Sequence, residues 1–377
     1  MSEYRPGLEG VVAGISGISE IDEARNELIY RGYDIHDLVD QCAFDEVAYL
    51  LLYGDLPDTE QFRDFMNTVG AKRQVPEQIY SLYRMMPADA HPMDTLRSAV
   101  SLLATMDEDR ADNSRDATIR KAVRLYARIP TLVANGERIT QGLQPIEPDP
   151  TLCHNANFFH MLKGVEGTGY IGKVFNITQI LYAEHGFNAS SFSARVTVST
   201  LSDIYSGVTS AIGTLKGPLH GGANEAAMEM LLEIDDPARA AEWVRDALAQ
   251  KKKIMGFGHR EYKHGDERAK IVKSYAVELG EKLGITRWRD MSQAVEDEMM
   301  RAKGLYPNLD FPVATVYHLM EIPIPLYTPI FVMSRITGWS AHIMEQLANN
   351  RLIRPSSEYN GPRGRKVVPI EERAPAK

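Results

Sequence analysis

Beyond residue 34 the apolar residues of this chain recur at helical spacing, and the breaks between them are proline and glycine turns. Only two stretches near the start read as strands, Val11 to Ile21 and Glu27 to Tyr30, short apolar runs that predict a small β-hairpin. That pattern leaves little choice of architecture: an all-α fold with a small N-terminal β-hairpin. Asp34 should cap a helix through Leu38, and Asp45 should open another, Val47 to Tyr53, stopped by Gly54. Turns are expected at Leu56-Pro57-Asp58, Met86-Pro87, His91-Pro92 and Ile129-Pro130, and a loop over Gln141 to Thr151. A helix covers Asn157 to Leu162. Further on, one helix should end at Gly186, and a second, capped at Asn188 or Ser190, should run through Leu215 with a lining of small residues. Asp236-Pro237 starts a helix through Leu248, Asp266 caps one whose first turn holds Arg268, and the last two span Arg287 to Lys303 and Thr328 to Leu347.

At 377 residues the chain has room for two or three domains with a large core. A hydrophobic fraction of 44% and a charged fraction of 25% are those of a soluble globular protein. The net charge of −9 leaves no basic stripe for nucleic acid, so any anionic ligand must be met by arginines gathered locally. Two cysteines, Cys42 and Cys153, lack metal-ligand spacing and read as thiols of a reducing compartment. No signal peptide or membrane-length apolar run is evident, and the expected location is cytoplasmic. Gly167 to Lys173 nearly matches a phosphate-binding loop, but Val174 replaces the magnesium-binding hydroxyl and no strand precedes it, which argues against a nucleotide triphosphatase.

The chemistry gathers elsewhere. Lys216 to Glu225 (KGPLHGGANE) places His220 before a glycine pair, with Asn224 as a candidate N-cap whose helix end would favour an anion or a developing oxyanion. An ordinary glycine turn is the competing reading. His185, at a helix end, has a structural reading too. His259 follows Gly256-Phe257-Gly258, which lacks the third glycine and the strand of a dinucleotide fingerprint. Asp310 is a carboxylate on a proline-bracketed turn, and Arg335 lies in so apolar a helix that it needs a carboxylate or a ligand as partner. With Arg268 and Arg354, these residues amount to a base, imidazole donors and bidentate carboxylate binders. The set suits acid–base carbon chemistry on a dicarboxylate.

Ala183 to Ser190 (AEHGFNAS), Gly217 to Glu225 (GPLHGGANE), Gly256 to Arg268 (GFGHREYKHGDER), Tyr306 to Phe311 (YPNLDF) and Thr328 to Glu345 together resemble the si-citrate synthase family, in order and over nearly the whole chain. The resemblance implies a two-domain helical fold, residues 1–221 and 322–377 forming a large domain and 222–321 a small one that closes over the site. It also implies a homodimer packed through an eight-helix sandwich. On it His220 matches the histidine at the acetyl-CoA carbonyl, Asp310 the base for the methyl proton, and His259 the histidine that polarises the oxaloacetate carbonyl. His185, Arg268 and Arg335 match oxaloacetate binders, and Arg354 an arginine lent by the second subunit. Lys253, Ile254, Met255, Gly256 and Gly258 match a CoA-binding loop, with Lys263 and Lys303 near the CoA phosphates. Acetyl-CoA is then a substrate, and no cofactor or metal is expected.

Some positions depart from the pattern. Several relatives have proline at Glu267. Leu309 and Pro312 resemble the 2-methylcitrate branch, whereas Ala269-Lys270 and Val368 to Arg373 resemble the citrate branch, so 2-methylcitrate synthesis from propionyl-CoA is the alternative expectation. The short N-terminus suggests no NADH site. A decayed, merely structural relative is disfavoured because His220, His259 and Asp310 are all present.

Overall fold

The computed structural model describes residues 4–22, 24–259, 261–262 and 264–373. Three antiparallel strands open it, β1 (Ser19–Asp22), β2 (Glu27–Tyr30) and β3 (Tyr33–Asp34), with Ser19 opposite Tyr30 and Ile29 opposite Asp34. The expected hairpin is thus a three-stranded sheet. Most of the run before it stays outside, with Val12 and Ile15 exposed.

The first six helices are α1 (Ile35–Gln41), α2 (Phe44–Tyr53), α3 (Thr59–Ala71), α4 (Glu77–Met85), α5 (Pro92–Met106) and α6 (Arg115–Thr140). Asp34 caps α1 by accepting from the His36 N–H. α2 opens with Asp45 in its first turn and stops at Gly54, as expected; Asp45 is buried there and accepts from Tyr126 Oη at 2.7 Å. Pro130, expected to make a turn, lies inside α6. Its neighbours there are nearly all buried, so packing outweighs the hydrogen bond proline forfeits.

Next come α7 (His154–Lys163), α8 (Gly169–Tyr182), α9 (Ala189–Val198) and α10 (Ile204–Leu215). The single helix expected from Asn188 to Leu215 is therefore two: Leu201 takes a positive φ of 68° and Asp203 caps α10. The small residues still serve close packing. Ser193 Oγ and Ser210 Oγ lie 2.6 Å apart, and a Cβ on Gly207 would approach Val198 to 2.9 Å. The glycine loop before α8 folds onto itself, a Cβ on Gly172 colliding with the Gly167 carbonyl.

The chain continues through α11 (Ala223–Ile234), α12 (Ala240–Ala249), α13 (Glu267–Leu283), α14 (Arg287–Lys303), α15 (Asp310–Leu319) and α16 (Tyr327–Ala348). Every residue of α16 from Tyr327 to Ile343 is buried, and the helix packs on α2, α6, α8, α9 and α10. Each large apolar side chain so enclosed, Ile330 or Trp339 for example, contributes about 1.5–3 kcal/mol. That core makes α16 a rigid platform for whatever polar residue it carries. Residues 351–373 run along the outside with one short helical turn. No helix among the described residues is long and apolar enough to cross a membrane.

Candidate active site

One wall of the site is the loop between α8 and α9, packed on α16. Asn188 caps α9 by accepting from Ser191 N–H at 3.1 Å, while its amide donates to the carbonyls of His185 and Gly186, so the loop geometry follows from one side chain. Beneath His185 lies Glu184, fully buried. Its Oε1 accepts from Ser19 Oγ at 3.0 Å and from His342 Nε2 at 2.8 Å. His342 Nδ1 faces the obligate donor Arg195 Nη1 at 2.9 Å, so the ring proton must sit on Nε2, toward Glu184. Burial opposes the Glu184 charge, yet His342 and Arg335 outweigh it and hold the carboxyl below its ordinary range. Gly338 is required here, because any Cβ would collide with Glu184 Oε2.

Arg335 projects from the buried face of α16 and is 1% exposed. Its Nε donates to the Tyr182 carbonyl at 2.6 Å, and its guanidinium lies 4.8 Å above the Phe331 ring. Among the described residues no carboxylate pairs with it. Burial depresses its pKa, partly countered by Glu184. The partner that the sequence demands is thus not an internal ion pair, and most of the guanidinium donors remain for a ligand.

His220 stands on the turn between α10 and α11. Ser190 Oγ lies 2.8 Å from both His220 Nε2 and Asn188 Oδ1, and accepts from Trp339 Nε1 at 3.0 Å. Its single proton can therefore serve either acceptor. When it serves His220, the ring carries its own proton on Nδ1. Burial, reinforced by Arg335, lowers the His220 pKa to about 3, so the ring is neutral. Asn224 is not the N-cap of α11, a position that Gly222 takes. It lies within the first turn, fully buried, its Oδ1 accepting from Glu225 N–H at 2.7 Å. The helix starts two residues too early for Asn224 to cap it, so the side chain is buried inside the first turn. Glu225 anchors the turn by accepting from His91 Nε2 at 3.0 Å and Thr328 N–H at 3.1 Å.

The opposite wall is the 256–268 loop zipped onto the Asp310 turn. Gly258 N–H donates to the Tyr306 carbonyl and Asn308 N–H to the Gly256 carbonyl, each at 2.9 Å. Gly256 has φ of 80°, and a Cβ there would press on Phe311, so only glycine fits. His259 Nδ1 accepts from the N–H groups of Glu261 (3.0 Å) and Tyr262 (3.2 Å). Two backbone donors on Nδ1 place the ring proton on Nε2, and burial beside Arg268 lowers the pKa to about 4. His259 is a neutral donor. His185, with its pKa driven well down by burial and Arg268, has Nε2 3.3 Å from Tyr262 Oη.

Asp310 is the first residue of α15. Its Oδ1 accepts from Tyr182 Oη at 2.7 Å and its N–H donates to Asn308 Oδ1 at 3.1 Å. Burial raises its pKa to about 6 despite the Tyr182 hydrogen bond and the field of Arg268, with Asp266 pushing it up further. Such a carboxyl is ionised at neutral pH and still a competent base.

The structure gathers His185, His220, His259, Arg268, Arg335 and Asp310 around three aromatic rings. His185 and His259 have centroids 5.0 Å apart, Tyr182 stacks on Phe331 at 4.0 Å, and His220 meets Phe331 edge-on at 6.2 Å. Tyr182, Ser190, Tyr262, Glu184 and Asp266 belong to the cluster, and sequence reasoning missed these roles. Only the AEHGFNAS run hinted at Glu184 and Ser190. Of the other expected residues, Ile254 and Gly256 are buried, Met255 and Gly258 half-buried, and Lys253 and Lys303 exposed. Lys263 lies outside the described residues. Arg354 is exposed on the outer tail, and among the described residues no hydrogen bond or ion pair joins it to the cluster.

A family model described as citrate synthase, C-terminal domain, matches residues 7–356. This chain belongs to the citrate synthase family. It is 47% identical to citrate synthase 2 of Bacillus subtilis, over 98% of this chain and 99% of the relative. It is 48% identical to a 2-methylcitrate synthase of Mycobacterium tuberculosis, over 95% and 91%. Among solved structures, the ternary complex of carboxymethyl coenzyme A and oxaloacetate with citrate synthase from Thermoplasma acidophilum superposes with a TM-score of 0.94. That likeness holds at 36% identity and covers 98% of this chain and all of the other. The family consists of acyltransferases, and this chain is an enzyme of that class.

Proposed function

We propose that the enzyme condenses acetyl-CoA with oxaloacetate and water to give citrate and CoA. The observation that carries this reading is one carboxyl, Asp310, held by Tyr182 Oη at 2.7 Å beside His185, His220 and His259 and the buried Arg268 and Arg335. A thioester methyl proton is only weakly acidic, so a carboxylate removes it only if the enol is stabilised as it forms. Asp310 takes that proton. His220 donates from Nδ1 to the thioester oxygen, with Ser190 turned to donate to Nε2. The enol carbon attacks the ketone carbon of oxaloacetate, and His259 Nε2–H protonates the ketone oxygen. Water then hydrolyses citryl-CoA. His185, Arg268 and Arg335 hold the oxaloacetate, whose negative charge is the anion that Arg335 lacks. Acyl-CoA enters as a substrate, its CoA meeting Lys253 to Gly258, Lys263 and Lys303, and the scheme uses no cofactor.

The smaller domain, 222–321, is proposed to close on the larger, 1–221 with 322–377, and so to exclude water until citryl-CoA exists. The enzyme is proposed to be a cytoplasmic homodimer of the tricarboxylic acid cycle, with Arg354 reaching the partner's site. An exposed arginine on an outer tail, away from the cluster of its own chain, supports that reading. The second reading is 2-methylcitrate synthesis from propionyl-CoA, favoured by an equally similar relative. One methyl in an apolar pocket changes selectivity by only about 1–3 kcal/mol, so one site can serve both acyl groups. Thiol release with oxaloacetate, measured first with acetyl-CoA and then with propionyl-CoA, ranks the two. Release with neither would overturn the proposal.

A further inference from the structure

Asp266 lies between Arg268 and the Asp310 turn, on one wall of the site, and has no part in the scheme above. It is 2% exposed and caps α13. Its Oδ1 accepts from Arg268 N–H at 3.1 Å and Arg268 Nε at 3.0 Å, while its Oδ2 accepts from Arg268 Nη2 at 2.8 Å. This is a bidentate grip on one edge of the guanidinium, a geometry that fixes the plane as well as the distance. The outer edge, Nη1 with the second N–H of Nη2, is left facing away from Asp266. The same Oδ2 accepts from Leu309 N–H at 3.1 Å, on the residue immediately before Asp310. A single buried carboxylate therefore orients the arginine and pins the turn that carries the base.

We propose that Asp266 is a positioning residue that locks the oxaloacetate-binding arginine and the proton-abstracting carboxylate into one unit, so that a dicarboxylate seated on Arg268 sets the register of Asp310. The inference rests on the reading of the site given above and deepens it. An arginine without this grip would have rotamers to lose on binding, and the Asp310 turn would lose a buried hydrogen bond. Small displacements of a reacting group are costly: a shift of about 1 Å can reduce turnover roughly a hundredfold.

The groups facing Asp310 set what a pH profile would show. Tyr182 from α8, Arg268 from α13 and Arg335 from α16 lower its pKa, and Asp266 raises it. Removing the Asp266 charge must therefore move Asp310 toward stronger acidity.

The test compares wild type, Asp266→Asn and Asp266→Glu by thiol release and by thermal unfolding. For Asp266→Asn, whose amide end turns a donor toward donors, the KM for oxaloacetate should rise at least roughly tenfold and kcat should fall. The acidic limb of the rate profile should move to lower pH. Asp266→Glu keeps the charge, so its acidic limb should stay near that of wild type while the KM for oxaloacetate still rises. A merely structural capping role would lower the melting temperature and leave both the KM and the limb in place, and that result overturns the proposal. If Asp266→Asn does not fold, Asp266→Glu decides alone: an oxaloacetate KM within twofold of wild type sinks the idea. No thiol release from wild type with either acyl-CoA would remove the underlying reading of the site as well. An active wild type with indifferent variants removes only the role of Asp266.

Discussion

Arg268 and Arg335 are both buried in the same site, yet they are held in opposite ways. Arg268 is clasped by Asp266 and its pKa is raised; Arg335, on α16, has a backbone carbonyl and the face of Phe331, and its pKa is lowered. A buried cation costs several kcal/mol in desolvation unless something compensates it. On the Arg268 side compensation is built into the fold. On the Arg335 side Glu184 supplies only part of it, through space and without a direct ion pair, and the rest is left to the substrate. The wall that carries Asp310 is therefore internally balanced, whereas the α16 wall holds a positive charge that is only partly compensated, which a packed helix can bear without shifting.

The proposed base sits on the balanced wall, and the largest effect should appear there. Asp310→Asn is expected to cut thiol release by roughly 10²–10⁴-fold while oxaloacetate still binds. Activity within tenfold of wild type would remove Asp310 as the base and leave the asymmetry without a catalytic meaning.

The arginines themselves break the comparison most directly. Arg268→Met leaves Asp266 buried without its cation and should destabilise the protein by about 3–5 kcal/mol. Arg335→Met removes a charge that has no direct ion pair and is only partly countered by Glu184, so it should cost less stability than Arg268→Met while oxaloacetate binding collapses. Thermal melts of the two variants decide this: equal losses would mean that Arg335 has compensation comparable to that of Arg268.

Arg354 extends the comparison beyond one chain. Losing a charge-assisted contact to the substrate should weaken oxaloacetate binding by about 2–3 kcal/mol in Arg354→Ala. Mixing Arg354→Ala with Asp310→Asn and allowing subunit exchange should restore one competent site per heterodimer. Verified exchange without recovered activity would confine Arg354 to its own subunit.

The smallest expected effect sharpens the comparison at Asp310. Its pKa of about 6 places the acidic limb of kcat/KM near that pH, because the base must be ionised and activity is lost as pH falls through the pKa. Tyr182 donates to the ionised form and so lowers that pKa. Tyr182→Phe should move the limb upward, the reverse of Asp266→Asn. A limb that does not move would show that Tyr182 gives up its bond before catalysis.

Much of the fold was legible in local chemistry. Arg287 to Lys303 forms the helix its spacing implied, and Asp34 and Asp266 cap the helices they were expected to cap. The failures share a cause. Pro130 and Asn224 were read by local preference, and in both cases the residue is buried within the helix instead.

Glu267 makes the same point. It accepts from Asn26 Nδ2 at 2.7 Å across 241 positions of sequence. No local pattern could announce that contact.

The sequence by itself determined which residue types would stand on glycine and proline turns, because turn chemistry is set within a few residues. From those turns came His220, His259 and Asp310 as candidates. Only the tertiary structure decided their protonation. The proton of His259 lies on Nε2 because two backbone N–H groups meet its Nδ1, and Asp310 is a weak acid because desolvation outweighs the Tyr182 hydrogen bond and the fields of Arg268 and Arg335. The charge balance of the arginines was likewise undecided in the sequence, where each was an isolated cation. Desolvation and pairing depend on the atoms within a few ångströms of a group, and in a folded helical protein most of those atoms come from elsewhere in the chain.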